Sequence, residues 1–208
     1  MTSDGPPLVN IRAQEEAVTS LDPGKPIERE LSRGQEHSYR LSLAAGEYLR
    51  VVVEQRGINV GVAIFAPDGK QITEIDNSND PKGVEEVLLI AEVAGAYQLK
   101  VRAVEKEKAT GRYEISVKEQ RPATAQDGAV FANWLLRQVA RLRGARQYDA
   151  AMPLARRALA ISEQRLQPDA PELLPFLNSL VLVYRDKGEY AQVEPLFERA
   201  LKITEKQK

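Results

Sequence analysis

The hydrophobic period of the chain changes once. From Ile27 to Glu119 apolar and polar positions alternate. Tyr39, Leu41 and Leu43 are interleaved with Arg40 and Ser42, and the same period runs through Leu49-Val51-Val53, Val60-Val62-Ile64, Leu88-Ile90, Leu99-Val101 and Ile115-Val117. A period of two buries one face of a strand. Turn-forming residues separate the runs, at Ala45-Gly46, Arg56-Gly57, Pro67-Asp68-Gly69, Asn77 to Pro81, Ala94-Gly95 and Thr110-Gly111. About eight short strands with turns at this spacing predict an antiparallel β-sandwich. Beyond residue 128 the period becomes that of a helix, which sets a boundary near residue 122. The predicted fold class is multidomain β + α, an antiparallel β-sandwich followed by a short α-solenoid of two helical hairpins. The expected divisions are a tail over 1–24, with one strand around Leu8 to Ile11, the sandwich over 25–120, a linker over 121–128 and the helical part over 129–208.

The helical part repeats itself. Laying Tyr148–Gln164 over Tyr190–Lys206, a shift of 42, makes eight of 17 positions identical: Tyr148/Tyr190, Pro153/Pro195, Leu154/Leu196, Arg157/Arg199, Ala158/Ala200, Leu159/Leu201, Ile161/Ile203 and Glu163/Glu205. Such self-similarity marks a repeat architecture. Each unit reads as two helices. In the second they run from about Pro171 to Lys187 and from Tyr190 to about Gln207, with Gly188 suited to the left-handed helix end between them. Leu177, Leu180, Val181 and Tyr184 make one apolar stripe, and Val193, Leu196, Phe197, Ala200 and Leu201 are expected to face it. In the first unit Arg146 stands where the second has Gly188.

Two resemblances rest on these residues. Tyr39-Arg40-Leu41-Ser42-Leu43, Ala45-Gly46-Glu47-Tyr48, Phe65-Ala66-Pro67-Asp68-Gly69-Lys70 and Ala94-Gly95-Ala96-Tyr97-Gln98-Leu99-Lys100-Val101 resemble the bacterial pre-peptidase C-terminal-like domain, over about residues 25–120. That resemblance implies a non-catalytic accessory β-sandwich. Tyr190-Ala191-Gln192-Val193-Glu194-Pro195-Leu196-Phe197-Glu198-Arg199-Ala200-Leu201-Lys202-Ile203, with Leu177-Asn178-Ser179-Leu180, Tyr184 and Gly188, resembles the tetratricopeptide repeat of the longer, kinesin-light-chain type. It implies a groove, lined by the first helix of each hairpin, that holds a peptide or partner. On this alignment the groove residues are Leu136, Ala140 and Arg143 in the first unit and Asn178, Leu182, Arg185 and Asp186 in the second. Asn pairs with peptide backbone and Arg clamps a carboxylate.

Composition narrows the chemistry. The 208 residues include no Cys and one His, His37, which removes cysteine nucleophiles, thiolate metal sites and multi-histidine sites. No catalytic residue is assigned and no cofactor is expected. No apolar run approaches the roughly 18 residues of a membrane span. Met1 to Ser20 has neither an apolar core nor a basic start, so the default compartment is the cytoplasm, with an extracytoplasmic one left open if the N-terminus is incomplete. The net charge of −1 is uneven: residues 1–120 hold 15 Lys/Arg against 20 Asp/Glu, and residues 121–208 hold 14 against 10. Arg137, Arg141, Arg143, Arg146, Arg156 and Arg157 cluster with no aromatic ladder interleaving them. They read as a solvated face or a match to the acidic sandwich, and no nucleic-acid partner is expected.

Lesser candidates are read structurally. Asp76, Asn79 and Asp80 form a weak calcium candidate, since the segment around them is oxygen-rich but also turn-like. His37 is expected on an exposed strand position, with Ser38 pointing to the opposite face. Gly46-Glu47-Tyr48, Gly95-Ala96-Tyr97 and Gly111-Arg112-Tyr113 each open a strand, their Tyr hydroxyls expected in water. The leading function is a non-enzymatic protein–protein interaction module binding a protein or peptide in the repeat groove. Self-association through the open repeat end is a second contact. Two alternatives stay open: an extracytoplasmic metal- or glycan-binding sandwich with the repeats as spacer, and a regulatory fragment of a larger repeat protein with a caspase-like peptidase domain.

Overall fold

The computed structural model describes residues 18–76, 82–104 and 110–207. The strand once expected around Leu8 to Ile11 lies outside them, as do Asn79 and Asp80. Among the described residues nine strands precede four α-helices: β1 (Thr19–Ser20), β2 (Ile27–Ser32), β3 (Glu36–Leu43), β4 (Glu47–Arg56), β5 (Val60–Phe65), β6 (Gln71–Ile75), β7 (Val84–Ile90), β8 (Gly95–Ala103) and β9 (Thr110–Pro122), then α1 (Ala125–Gly144), α2 (Tyr148–Glu163), α3 (Leu174–Lys187) and α4 (Val193–Glu205).

The strands make two sheets, β1-β3-β8-β5-β6 and β2-β9-β4-β7. All pairings are antiparallel except that of β1, which runs parallel to β3 with Thr19 opposite Tyr39. Alternation fixes the faces. Tyr39, Leu41 and Leu43 of β3 and Leu99 and Val101 of β8 are buried, while Arg40 and Ser42 are exposed. The fold is therefore an antiparallel β-sandwich followed by helical hairpins.

The expected divisions shift at both ends of the sandwich. Leu21, assigned to the tail, is buried, and its backbone N–H donates to the Arg40 carbonyl at 2.9 Å. Short as it is, β1 covers part of the β3 edge. The linker expected over 121–128 shrinks to Ala123 and Thr124, because β9 runs to Pro122 and α1 opens at Ala125. The helix starts early because Thr124 and Asp127 cap it reciprocally. The Thr124 hydroxyl accepts from the Asp127 N–H at 3.3 Å, and the Asp127 carboxylate accepts from the Thr124 N–H at 2.7 Å.

Three buried tyrosines depart from expectation. Tyr48, Tyr97 and Tyr113 are all buried, and two of their hydroxyls find protein partners. The Tyr97 hydroxyl donates to the Val93 carbonyl at 3.0 Å. The Tyr113 hydroxyl lies 2.7 Å from His37 Nδ1 and 2.6 Å from the Tyr39 hydroxyl. His37 is thus a buried core histidine rather than an exposed one: β9 places Tyr113 beside it, and a buried imidazole takes a hydrogen-bond partner.

The two hairpins share one turn geometry. Gly188 takes φ 77, and Arg146, 42 residues earlier, takes φ 60, a left-handed conformation that favours glycine. Both turns close with the same bonds, Gln147 N–H to the Leu142 carbonyl at 2.8 Å and Glu189 N–H to the Tyr184 carbonyl at 2.9 Å. That pattern is the Schellman motif. Sandwich and helices form one continuous hydrophobic core, in which Leu88 and Val87 join Phe131, Trp134 and Leu135.

Candidate functional site

The helices dock where the sandwich is open. β6 and β7 are the last strands of their sheets on the same side of the molecule, so each carries unpaired backbone groups. The helical part supplies donors to them. The Trp134 indole N–H donates to the Glu86 carbonyl of β7 at 3.2 Å. The Arg141 guanidinium donates to the Glu74 carbonyl of β6. The Arg157 Nη2 donates to the Ile90 carbonyl at the end of β7 at 2.6 Å, its Nε lies 2.9 Å from Glu92, and its guanidinium sits 5.0 Å from the centre of the Phe131 ring. Burial pushes the Arg157 guanidinium down from its ordinary value. Helix packing along these strands hides the edges that would otherwise pair with another chain.

The arginine cluster is therefore largely spent within the fold. Arg141 and Arg157 hold the sandwich, and Arg143 and Arg156 hold α3. The Arg143 Nε and Nη2 both donate to Asp186 Oδ2, at 2.9 and 2.6 Å. The Arg156 Nη2 donates to the Tyr184 hydroxyl at 2.8 Å. Arg137 and Arg146 stay exposed.

The groove residues lie on α1 and α3 at matching positions. Leu136, Ala140 and Arg143 follow one stripe of α1, and Asn178, Leu182 and Arg185, each 42 residues on, follow the same stripe of α3. Ala140, Asn178 and Arg185 are exposed, and Leu136 and Leu182 are half-buried. Arg143 and Asp186 do not stand free: they bind each other across α1 and α3, with side chains 20% and 18% exposed. Arg185 also donates to Asp186, through Nη2 at 3.1 Å. The pair ties the two helices together rather than offering two open ligands. Local periodicity carries no trace of this, since it is a contact over 43 residues.

The second hairpin departs from its expected packing. Phe197 and Leu201 are not covered by α3 but stand 59% and 57% exposed. Their counterparts in the first hairpin, Ala155 and Leu159, are buried. Beside Phe197 lies a cleft of about 460 Å³ lined by Leu174, Pro175, Asn178, Val181, Phe197 and Ala200.

Of the weak calcium candidate, only Asp76 is described. Burial raises its carboxyl above the ordinary value, against the pull of Arg141. Among the described residues, no group of three or more His, Cys, Asp and Glu is placed to hold a metal. No helix among them is long and apolar enough to cross a membrane.

Comparison with known proteins follows this division. The tetratricopeptide repeat family model matches residues 139–172 and 176–206. A repeat of this class points to protein–protein interaction. The N-terminal β region is similar to the pre-peptidase C-terminal domain of collagenase from Bacillus anthracis, at 19% identity over 50% of this chain and 96% of that one, with a TM-score of 0.40. It is also similar to PliG of Aeromonas hydrophila, a periplasmic inhibitor of g-type lysozyme, at 16% identity over 50% of this chain and 99% of that one, with a TM-score of 0.35. No curated protein matches the chain. The matched stretch runs from the last turns of α1 through α4 and resembles two tetratricopeptide repeats, following an N-terminal β-sandwich.

Proposed function

We propose that the chain is a non-enzymatic interaction module in which the repeat stripe on α1 and α3 binds a protein or peptide. The observation that carries this reading is that Leu136-Ala140-Arg143 and, 42 residues on, Asn178-Leu182-Arg185 hold equivalent positions on two neighbouring helices, Arg143 and Arg185 being identical. Such a surface presents apolar contacts at Leu136 and Leu182, an amide at Asn178 and a guanidinium at Arg185. The amide suits peptide backbone, and the guanidinium suits a carboxylate of the partner. Arg143 and Asp186 serve it indirectly by fixing α1 against α3, which reduces the entropy lost on binding. The sandwich acts as the base on which this surface is held.

The test is affinity capture from native extract with the whole chain, beside an Ala140→Arg variant. Ala140 is exposed on α1, so the long side chain fills the stripe without disturbing the core. The reading predicts a partner held by the wild-type chain and lost by the variant, with the circular dichroism spectrum unchanged. A partner held equally by both contradicts it.

In this reading the chain also contacts a protein through the open end of its helical stack.

A further inference from the structure

The first hairpin shows how this repeat receives a neighbour. Its apolar face, at Ala155, Ala158 and Leu159, is buried beneath the second hairpin. Two charged groups flank that face. Arg143, near the end of α1, takes Asp186, and Glu163, at the end of α2, takes Arg199. The second hairpin carries the same set, 42 residues on. Phe197, Ala200 and Leu201 replace Ala155, Ala158 and Leu159, Arg185 replaces Arg143, and Glu205 replaces Glu163. On this copy the apolar face is open, with Phe197 59% and Leu201 57% exposed beside the cleft of about 460 Å³.

We infer that the occupant of this face is a second copy of the chain, packed about a two-fold axis. The inference deepens the open-end contact of the proposed function and rests on that part of it. Two features favour a copy. First, the opposite face of the first hairpin is already covered by β6 and β7, through Trp134, Arg141 and Arg157. A copy therefore does not add head to tail onto that covered face. Second, the face is complementary to itself. α3 and α4 run antiparallel within their hairpin, so Arg185 and Glu205, each near the C-terminal end of its helix, lie at opposite ends of the apolar cleft. A two-fold axis between those ends sets Arg185 of each copy, which in its own chain also contacts Asp186, against Glu205 of the other. It places Phe197 and Leu201 in the middle, as an isologous interface requires. The apolar centre supplies the attraction, and the two ion pairs fix the register.

Sedimentation equilibrium of the full chain, from about 1 to 100 µM, tests this. The mass should rise from 23.1 kDa toward twice that value with concentration. Phe197→Glu should hold it at 23.1 kDa throughout, with an unchanged circular dichroism spectrum. Arg185→Glu and Glu205→Arg should each weaken association by about tenfold or more, and an equimolar mixture of the two should regain it, because opposite charges then meet at both ends. A wild-type mass of 23.1 kDa at every concentration overturns the inference. So does a dimer indifferent to Phe197→Glu, or a mixture of charge variants that regains nothing. None of these readings depends on the capture experiment at Ala140, so failure of the groove and failure of the dimer are separable.

Discussion

Arg157 and Arg199, 42 residues apart, hold equivalent positions, and each reaches back to the unit before it. Arg157 meets the Ile90 carbonyl and the Glu92 carboxylate of the sandwich, and Arg199 meets the Pro168 carbonyl and the Glu163 carboxylate of the first hairpin. The sandwich edge thus stands where a preceding repeat would stand. Other positions tell the same story. Phe131, Trp134, Gln138 and Arg141 on α1 correspond to Leu173, Phe176, Leu180 and Val183, all buried, in the second unit. In α1 two of the four are polar: Arg141 donates to a strand carbonyl, and Gln138 Oε1 accepts from Arg141 Nε at 3.4 Å. Two hairpins bury little core alone, since solenoids gain stability by stacking. The sandwich supplies the missing neighbour.

Arg157→Met keeps the stem over Phe131 and removes the donors. The Ile90 carbonyl then loses a charged partner, at a cost of about 1.5–3 kcal/mol. The Glu92 contact adds little, because its side chain is 70% exposed. Denaturant unfolding checks this. A change within about 0.5 kcal/mol would show that Arg157 is ordinary surface.

The cap of α1 makes stability depend on pH. Arg121 above all, and then Thr124, hold the Asp127 carboxyl well below the usual carboxylate range, although burial of the group opposes them. A lowered folded-state value means the carboxylate's contribution is complete above the unfolded value of about 3.9 and is lost as pH falls below it. Asp127→Asn should cost about 1–2 kcal/mol at pH 7, the Arg121 share being discounted because its side chain is 40% exposed. The gap between wild type and variant should close as pH drops through the acid range. A gap that stays constant there contradicts the assignment.

The left-handed turn offers an internal control. Arg146→Gly, at φ 60, should stabilise the protein by about 1 kcal/mol, the cost of that conformation for a residue with a Cβ. Gly188→Ala, at φ 77, should destabilise by a similar ~1 kcal/mol, although a Cβ there meets nothing within 4 Å. Thermal melts of the two variants should move in opposite directions.

Tyr113→Phe removes the hydroxyl between His37 Nδ1 and the Tyr39 hydroxyl. Leaving these buried groups short of a partner should cost about 1–3 kcal/mol, while Tyr97→Phe, which frees one backbone carbonyl, should cost less. Equal losses would mean the three-residue network is no stronger than a single bond.

Much of this was legible in the sequence, for reasons of range. Strand alternation and the 42-residue shift are local or periodic signals, so the sandwich, both hairpins and the Gly188 turn could be read directly. What escaped depends on pairings of distant residues. β1 adds two residues by parallel pairing, a pattern too short for periodicity to register. His37 is buried because Tyr113 arrives from 76 residues away. Arg143 and Asp186 are polar and look like free groove ligands until α1 and α3 are set side by side. Phe197 and Leu201 fit an apolar stripe, but a stripe does not say which neighbour covers it. By sequence alone the arginine cluster suits a solvated face or a match to the acidic sandwich. In the event much of it goes to strand carbonyls, α3 and a carboxylate.

The central claim is that the sandwich edge caps the repeats, so that α3, which bears half of the proposed binding stripe, depends on contacts made by α1 and α2 to the strands. Native-state hydrogen exchange on the wild-type chain and on Arg157→Met tests it most directly. The account predicts that amides of α3 lose protection together with those of α1 and α2, although the bonds of Arg157 go to Ile90 and Glu92 of the sandwich. Loosening confined to α1 and α2, with α3 protected as before, would contradict it.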